Sequence, residues 1–399
     1  MTDKFMNTYH RLPAVLTEGK GARVKDVAGK WYLDFTAGIA VSCLGHGHPA
    51  LTKAIADQAA KLIHTSNYFK SDTATAFAEE LVAACSKVGM VNVFLANSGA
   101  EANEGAVKIA RKYSLKKYGP GRHRIVTLKG SFHGRTITTL AATGQDKFHQ
   151  DFGPFTEGFL YLPSGDLAAL EKALDGTVAG LLIEPVQGES GIRVQDSAFM
   201  AAAAALCAER DVLFLMDEIQ SGVGRTGTFL ACEAYGAAVK PDIVTIAKGL
   251  AGGVPIGAVL AGPKVADTLG VGDHGTTFGG NPLAAAAGRV VLSIVNEPAF
   301  LADIGRKGEK IRSTIAGWKH PLVQDIRGKG LMIGVDIGID AWPVLEACLS
   351  RGLLMLSAGP KTLRMLPAYV ITDAEIDEGL AILKSVLDAA APGAAAASK

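Results

Sequence analysis

The sequence predicts an α/β fold with a mainly parallel central sheet, followed by a smaller α+β domain. Short apolar runs rich in β-branched residues alternate with segments of helical periodicity, as expected for strands joined by crossover helices. Each run ends in a polar or glycine-rich loop, and from Leu322 onward the predicted strands become short. A chain of 399 residues is also too long for one ordinary core, so we expect more than one domain.

Composition and charge narrow the classes of function. The chain is 48% hydrophobic and 20% charged, which is typical of a globular protein, and its net charge of +1 gives no general attraction to nucleic acid or anionic membranes. Its five cysteines form no CxxC pair, no run of 18 apolar residues suggests a membrane span, and the first residues lack an apolar signal core. We therefore expect a cytoplasmic protein that binds neither nucleic acid nor membranes.

The N-terminal segment is predicted to contain a hairpin and a glycine-rich loop. Ala22–Val27 and Lys30–Phe35 flank an Ala-Gly turn and are the expected hairpin strands. His46 and His48 resemble half of a metal site, but no third ligand lies at a suitable spacing, so we expect no metal. A glycine-rich loop close to a ligand fits this passage better.

The remaining elements follow in order. A helix is predicted from Pro49, and a second helix ends at about Ser86. The expected strands of the central sheet are Val91–Leu95, Arg124–Leu128, Gly180–Ile183, Val212–Met216, Ile243–Ala247 and Val254–Ala261. The elements expected after them are the helices Leu283–Val295 and Phe300–Trp318 and the strands Leu331–Ile337, Leu353–Ser357 and Leu363–Leu366. The predicted division is 1–50 as a segment packing with the small domain, 51–290 as the large domain and 291–399 as the small domain.

Asp217 and Lys248 directly follow two of the apolar runs. Ligands of open α/β sheets bind beyond the carboxyl ends of the strands, so both side chains could face one pocket. A lysine at a strand end is usually solvated, and an aspartate there is often only a helix cap. Pyridoxal phosphate would use both residues, because it needs a lysine to carry it as a Schiff base and a carboxylate to keep its ring nitrogen protonated.

A phosphate site is predicted where Ser98 and Gly99 follow the strand Val91–Leu95 and open a helix that runs to about Tyr118. The free amides and the dipole of a helix start favour an anion, although the pattern by itself indicates only a helix start. There is no GxGxxG after this strand and no Gly-Lys-Ser/Thr, which argues against dinucleotide and P-loop sites. The hydroxyl groups of the glycine-rich loop 275–282 also suit a phosphate.

Aromatic and charged side chains follow other strands. Phe132 could stack on a planar ligand or belong to the core, and Arg135 could bind a carboxylate through its planar fork. Glu184 and Glu189 follow a buried run and could equally be solvated or cap a helix. Arg364 lies inside an apolar run, where it needs a partner or a ligand carboxylate.

A set of motifs in one order resembles the class III aminotransferases: NSGAEANEGAVKIAR, FHGRT, EPVQGESG, DEIQSGVGRTG, PDIVTIAKGL and TTFGGNP. The resemblance covers nearly the whole chain, from the GHGHP passage to the LRMLP passage. It implies the PLP-dependent transferase fold type I, which is aspartate-aminotransferase-like, with residues 51–290 binding pyridoxal 5′-phosphate. It also implies a homodimer with shared active sites. Within the family, TAGIAVSCLGHGHP is most similar to the acetylornithine aminotransferases.

The resemblance implies the cofactor-binding residues. Lys248 carries the cofactor and shuttles the proton, Asp217 pairs with the ring nitrogen, and Phe132 stacks on the ring. Gln220 touches the ring hydroxyl, and Glu218 is counted with this group. The residues implied for the phosphate are Ser98, Gly99, Ala100 and, from the neighbouring subunit, Thr277. Ala100 replaces a threonine that is common in the family, which removes one hydroxyl contact and leaves the backbone contacts.

The resemblance also implies the substrate-binding residues. Arg135 binds the substrate carboxylate remote from the reacting amine, and Thr276 lies near the acetylated part. Glu189 and Arg364 form a switch that admits an ω-amine when paired and frees the arginine for the α-carboxylate of glutamate or 2-oxoglutarate when unpaired. Ile39 stands where ornithine δ-aminotransferases carry a tyrosine, and an apolar group there tolerates an acylated amine but cannot satisfy a charged one.

The implied reaction is transamination of N2-acetyl-L-ornithine with 2-oxoglutarate, which gives N-acetyl-L-glutamate 5-semialdehyde and L-glutamate in arginine biosynthesis. N-succinylornithine, N-succinyl-diaminopimelate, ornithine and 4-aminobutyrate remain open as alternative amine donors. A non-catalytic ligand sensor of the same fold is a remote alternative, since no DNA-binding helix-turn-helix or basic stretch is visible.

Overall fold

A seven-stranded sheet forms the centre of the protein, whose computed structural model describes residues 4–391. Its strands in spatial order are Asn92–Ala96, Gly257–Ala261, Ile243–Ile246, Leu213–Asp217, Val178–Ile183, Arg124–Leu128 and Phe159–Leu162. Gly257–Ala261 runs antiparallel to both of its neighbours, and the other strands of this sheet are parallel. The prediction of a mainly parallel sheet is therefore confirmed. The strand Phe159–Leu162 was not predicted, because it is a half-buried edge strand of four residues that ends at a proline.

Helices cover both faces of this sheet and the adjoining C-terminal part. Their bounds are Pro49–Lys61, Asp72–Ala84, Gly99–Tyr118, Ile137–Ala142, Leu167–Ala173, Ser197–Glu209, Pro282–Val295, Pro298–Gly317, Ala341–Ser350 and Asp373–Ala390. Several begin with a side-chain cap, which satisfies amides that have no partner inside the helix. Ser98 Oγ accepts from Glu101 N at 3.2 Å, and Asn281 Oδ1 accepts from Ala284 N at 2.9 Å.

The C-terminal part contains a second, antiparallel sheet. Its strands in spatial order are Asp325–Lys329, Met332–Asp336, Thr362–Met365 and Leu356–Ser357. A third sheet joins the two ends of the chain and consists of Leu16–Lys20, Arg23–Asp26, Trp31–Asp34 and Leu353–Leu354. This pairing supports the proposed packing of segment 1–50 with the small domain 291–399. Residues 1–3 of that segment and residues 392–399 of that domain lie outside the described residues. The proposed boundary at residue 290 falls inside the helix Pro282–Val295.

The carboxyl ends of the parallel strands meet at one edge of the central sheet and determine where the site lies. Asn97, Glu184 and Lys248 come just after three of these strands, and Asp217 is the last residue of a fourth. Because Gly257–Ala261 runs in the opposite direction, its amino end reaches the same edge. The strand expected to start at Val254 accordingly begins three residues later, and residues 253–256 form part of the cavity wall instead.

No single helix among residues 4–391 is long and apolar enough to cross a membrane. The pair Pro282–Val295 and Pro298–Gly317 meets the criteria of length and composition jointly, with a bend of 75° between the two helices. The first helix of this pair packs against Pro49–Lys61 and Asp72–Ala84.

Candidate active site

A cavity of about 340 Å³ lies at the carboxyl edge of the central sheet. The predicted site residues that line it are Ser98, Gly99, Ala100, Phe132, Glu189, Asp217, Gln220 and Lys248. The wall also contains residues to which we assigned no role from the sequence, among them Val41, Asn97, His133, Glu184 and Ile219. A larger open groove of about 1010 Å³ lies between the helices Pro49–Lys61, Asp72–Ala84 and Pro282–Val295, and none of the predicted site residues lines it.

Lys248 begins the tight turn Lys248–Ala251 with a φ of 41°, which is unusual for a residue with a side chain. It is half-buried, and its side chain lines the cavity. Desolvation lowers the pKa of the Lys248 amine, and the nearby carboxylate of Glu189 opposes this shift. A larger fraction of neutral amine at a given pH makes this lysine a better nucleophile and proton acceptor.

Asp217 is held on several sides by buried hydrogen-bonding groups. Its Oδ2 atom accepts from Asn103 Nδ2 at 2.8 Å and lies 2.7 Å from His133 Nδ1, while its Oδ1 atom accepts from Ile219 N at 3.0 Å. Thr245 Oγ1 donates to Asn103 Oδ1 at 2.8 Å, which orients the amide so that its nitrogen donates to the carboxylate. Asp217 therefore offers an orientated negative charge at the base of the cavity. Neither Asn103 nor His133 was assigned a role from the sequence, although both belong to the motifs quoted above.

The start of the helix Gly99–Tyr118 forms another part of the wall. Its first amides have no partner within the helix and make a natural anion site together with the helix dipole. A Cβ atom at Gly99 would lie 2.7 Å from the Ile219 side chain, so only glycine fits here without a shift of Ile219. The loop before the helix is fixed by Glu101, whose carboxylate accepts from Asn97 N at 2.7 Å and from Asn97 Nδ2 at 2.9 Å.

Glu189 and Arg364 form an ion pair between the central sheet and the small sheet. Arg364 Nη1 donates to Glu189 Oε1 at 2.6 Å and to the carbonyl oxygen of Gly188 at 3.1 Å. Burial raises the pKa of Glu189, but the attraction of Arg364 outweighs it and leaves this pKa below its usual value. Arg364 Nε is buried and has no hydrogen-bond partner among residues 4–391, so the guanidinium has an unused donor. Glu189 and Arg364 are thus paired in this structure.

Glu218 does not line the cavity, although it neighbours Asp217 in the chain. It is fully buried, and its carboxylate accepts from Ala231 N at 2.8 Å, Cys232 N at 2.7 Å and Ser221 Oγ at 2.9 Å. These contacts connect the end of the strand Leu213–Asp217 to the start of the short helix Ala231–Tyr235, so the structure gives Glu218 structural contacts in place of a cavity position.

Arg135, Thr276, Thr277 and Ile39 are not among the residues that line the cavity. The exposed Arg135 stacks over the rings of Phe148 and Phe132, with its guanidinium carbon 4.0 and 5.6 Å from the ring centroids. Thr276 Oγ1 accepts from the cavity residue Asn97 at 3.0 Å, and Thr277 is exposed. Ile39 is 39% exposed and has a φ of 63°, in the same segment as the wall residue Val41.

A model of the class III aminotransferase family matches residues 5–387 of this chain. This chain is a class III aminotransferase. An acetylornithine aminotransferase of Caldanaerobacter subterraneus subsp. tengcongensis is 48% identical over 385 residues, which are 96% of each chain.

Solved structures agree with this membership. The N-acetylornithine aminotransferase of Stenotrophomonas maltophilia has a TM-score of 0.83 and 40% identity, and the match covers 96% of this aminotransferase and 97% of that chain. An ornithine aminotransferase of Toxoplasma gondii, which holds PLP at partial occupancy in its active site, has a TM-score of 0.90 and 36% identity over 96% of this chain and 92% of that chain. The predicted fold and family are confirmed.

Class III aminotransferases use pyridoxal 5′-phosphate, and the cavity of this aminotransferase fits that cofactor. Lys248 and Asp217 line the same cavity, as the aldehyde and the ring nitrogen of the cofactor require. Gln220 Oε1 is buried there without a hydrogen-bond partner among residues 4–391, which leaves it available to a ligand hydroxyl. The helix start at Gly99 offers amides to the phosphate.

Proposed function

We propose that this chain transfers the terminal amino group of N2-acetyl-L-ornithine to 2-oxoglutarate, giving N-acetyl-L-glutamate 5-semialdehyde and L-glutamate in arginine biosynthesis. The observation that carries the proposal is the Glu189–Arg364 ion pair, at 2.6 Å, beside the cavity that contains Lys248 and Asp217. Such a pair suits a site that must accept two different substrates in turn. Membership of the family and the relatives named acetylornithine aminotransferase support the choice of amine.

The chain's own residues provide acid–base chemistry and charge. Bound pyridoxal phosphate supplies an aldehyde that accepts an amine and a ring that withdraws electrons from the carbon bearing that amine. Lys248 Nζ moves the proton at the δ-carbon of the substrate, a task for which its lowered pKa prepares it. Asp217 holds the proton on the ring nitrogen, with its carboxylate fixed by Asn103 and His133. Phe132 supports one face of the ring.

The ion pair discriminates between the two half-reactions. When it is closed, Glu189 neutralises Arg364, and the cavity suits the terminal amine of an acylated ornithine. When Glu189 moves away, the guanidinium becomes free for the α-carboxylate of glutamate or 2-oxoglutarate, which it can bind in a bidentate manner. Glu189 is the more exposed partner, with 29% of its side chain exposed compared with 4% for Arg364, and it is therefore the partner that moves.

The acyl group is proposed to lie near Ile39 and Thr276, with Arg135 binding the remote carboxylate. Ile39 and Val41 have apolar side chains. Beside them, the free α-amino group of ornithine would have no hydrogen-bond acceptor. An acylated nitrogen carries no charge and tolerates such surroundings. This argument favours N2-acetylornithine over ornithine and leaves N-succinylornithine and N-succinyl-diaminopimelate as the nearest competitors.

A panel of amines tests the reaction. N2-acetylornithine, N2-succinylornithine, ornithine and 4-aminobutyrate are each supplied with 2-oxoglutarate, and the formation of glutamate is measured. We expect kcat/KM for N2-acetylornithine to exceed that for ornithine by at least about tenfold, since an unpaired charged amine is strongly disfavoured. A preference for ornithine would refute the assigned substrate. Binding of amines without glutamate formation, and without a change in the visible spectrum, would indicate the non-catalytic sensor.

Arg364→Ala is expected to impair the two half-reactions unequally. The loss of a bidentate contact should lower kcat/KM for glutamate by about 100-fold or more, because a charge-assisted hydrogen bond contributes several times RT. The half-reaction with N2-acetylornithine should fall by less than about tenfold, since that substrate is not expected to need the free guanidinium. Single-turnover absorbance measurements with each amino donor separate the two effects. An equal loss in both would contradict the proposed switch.

A homodimer is proposed to complete the site with Thr277 of the neighbouring subunit. The segment 62–70 contacts the loop 276–279 through Asn67, whose Nδ2 donates to the carbonyl oxygens of Thr276 and Gly279 at 3.1 Å. Beside these contacts, Tyr68 and Phe278 are 96% and 61% exposed, which suits burial against a second copy. Sedimentation as a monomer at micromolar concentration would contradict the dimer.

The five buried free cysteines support a cytoplasmic location.

A further inference from the structure

Glu184 is a buried acid in the cavity wall that the proposed reaction does not use. It is the first residue after the strand Val178–Ile183, and 7% of it is exposed. Its two carboxylate oxygens accept hydrogen bonds from two different loops: Oε2 from Phe132 N at 3.0 Å and Oε1 from Gly188 N at 3.2 Å. One side chain therefore connects segments that lie 56 residues apart in the sequence.

Both of these loops carry groups that contact substrate or cofactor in the proposed function. Phe132 supplies the ring on one wall. Gly188 directly precedes Glu189, and its carbonyl oxygen accepts from Arg364 at 3.1 Å. Gly188 therefore donates its N–H group to Glu184 and accepts from Arg364 with its carbonyl oxygen. A displacement of the Glu184 carboxylate can shift Gly188 and, with it, the Glu189–Arg364 ion pair.

We propose that Glu184 is a positioning residue that holds the Phe132 ring and the Glu189–Arg364 ion pair at a fixed separation, and that this bridge weakens when the carboxylate takes up a proton. The geometric part of this inference is independent of the reaction. The consequence for substrate choice rests on the proposed function.

Burial brings the pKa of Glu184 into an experimentally accessible range of pH. The titratable groups around it, from all the segments that form this part of the cavity, are His133, Asp217, Lys248, Glu189 and Arg364. Burial raises the pKa of Glu184 to about 7, with a further contribution from Asp217, while His133 and the two amide donors oppose the rise. Above this pKa both oxygens accept. Below it, one oxygen carries a hydrogen, and one of the two amides faces a poorer acceptor.

The chain offers a matched control in Glu218. That carboxylate is also buried, its pKa is also raised by burial, and it also accepts from two backbone amides, those of Ala231 and Cys232. Its contacts connect the end of the strand Leu213–Asp217 to the short helix Ala231–Tyr235, outside the cavity. Glu184→Gln and Glu218→Gln therefore make the same chemical change in similar surroundings, and they differ in which loops lose a bond.

Amide hydrogen exchange on the purified holoenzyme measures the bridge directly. In Glu184→Gln, the amides of Phe132 and Gly188 should exchange about tenfold faster or more, because a hydrogen bond to a charged group is lost or weakened. Glu218→Gln should accelerate exchange at Ala231 and Cys232 and leave Phe132 and Gly188 unchanged. Unchanged exchange at Phe132 and Gly188 in Glu184→Gln would overturn the proposal.

The wild-type protein provides a test that does not depend on the folding of any variant. After correction for the intrinsic pH dependence of exchange, protection at Phe132 and Gly188 should fall between about pH 8.5 and about pH 6, on either side of the Glu184 pKa of about 7. Amides of the buried strand Val178–Ile183, which bond to backbone groups within the central sheet, serve as the internal reference and should stay constant by comparison. Equal behaviour of these strand amides and of the Phe132 and Gly188 amides would overturn the role of protonation.

Kinetics then tests the consequence for substrate choice. Glu184→Gln should change the ratio of kcat/KM for glutamate to kcat/KM for N2-acetylornithine by about fivefold or more and should flatten the pH dependence of that ratio near neutrality. Glu218→Gln should leave the ratio unchanged. A parallel loss in both half-reactions would reduce Glu184 to a general structural role. The wild-type protein could also transaminate neither glutamate nor N2-acetylornithine while Glu184→Gln still exchanges faster at Phe132 and Gly188. That result would support the bridge and refute the proposed function.

Discussion

Replacing Lys248 with alanine is expected to lower the rate of both half-reactions by at least about 10³-fold, because one side chain supplies both the amine that carries the cofactor and the group that moves the proton. The structure contributes two reasons for a large effect. Desolvation lowers the pKa of this amine, and the residue lies on a tight turn with a positive φ. Among residues 4–391, no other lysine lines the cavity. Single-turnover absorbance changes with N2-acetylornithine measure the loss.

Rescue by a small amine separates lost chemistry from a lost fold. Methylamine added to Lys248→Ala should restore part of the proton transfer, since it can occupy the space left by the side chain. The thermal unfolding temperature should stay close to that of the wild type, because a half-buried, strained residue contributes little to the core. Transamination by Lys248→Ala at the wild-type rate without added amine would refute the role assigned to this residue.

Replacing Asp217 with alanine should lower kcat/KM for both amino donors by about 10²- to 10³-fold, the range expected when one preorganised charge is removed from a site. The carboxylate is 3% exposed and accepts from Asn103 and Ile219, with His133 at 2.7 Å. Its loss removes the partner of the ring nitrogen and leaves buried donors without an acceptor. Stopped-flow measurement of the spectral change, together with the dissociation constant of the cofactor, detects both consequences.

Asp242→Ala is the matched control for this prediction. Asp242 lies just before the strand Ile243–Ile246, at the opposite edge of the same sheet, and accepts from Phe214 N at 2.9 Å. Its replacement should affect the free energy of unfolding and leave the spectral change intact. Equal kinetic losses in Asp217→Ala and Asp242→Ala would mean that both act through the stability of the sheet.

The sequence predicted the strands that carry the site because each is a short apolar run followed by a polar residue. Asp217 and Lys248 meet at one cavity as the rule for parallel strands requires. The reversed direction of Gly257–Ala261 was not predicted, since an apolar run has no direction in its pattern. The strand Asp325–Lys329 was also missed, because its residues are polar and half-exposed and show no alternation.

The supporting groups of the site were harder to predict than the charged residues. His133 and Asn103 reach Asp217 from 84 and 114 residues away, and only the folded chain brings these side chains together. From the sequence, Glu184 has equally plausible roles as a solvated residue or a cap, and only the fold brings to it the two amides that donate to its carboxylate. Glu218 was grouped with the cofactor residues through its neighbours in the motif, whereas its side chain accepts from the start of the short helix Ala231–Tyr235.

The reversed strand has a mechanical consequence for the proposed attachment point of the cofactor. Ile243–Ile246 and Gly257–Ala261 are adjacent antiparallel partners, so residues 247–256 form a short span anchored at both ends in the middle of the sheet. Releasing Lys248 from its pocket by local opening would require rupture of one of the most enclosed strand pairs of the protein. Residues 247–256, which include Lys248, should consequently be among the last parts of the chain to unfold on heating, well after the exposed segments around the cavity mouth.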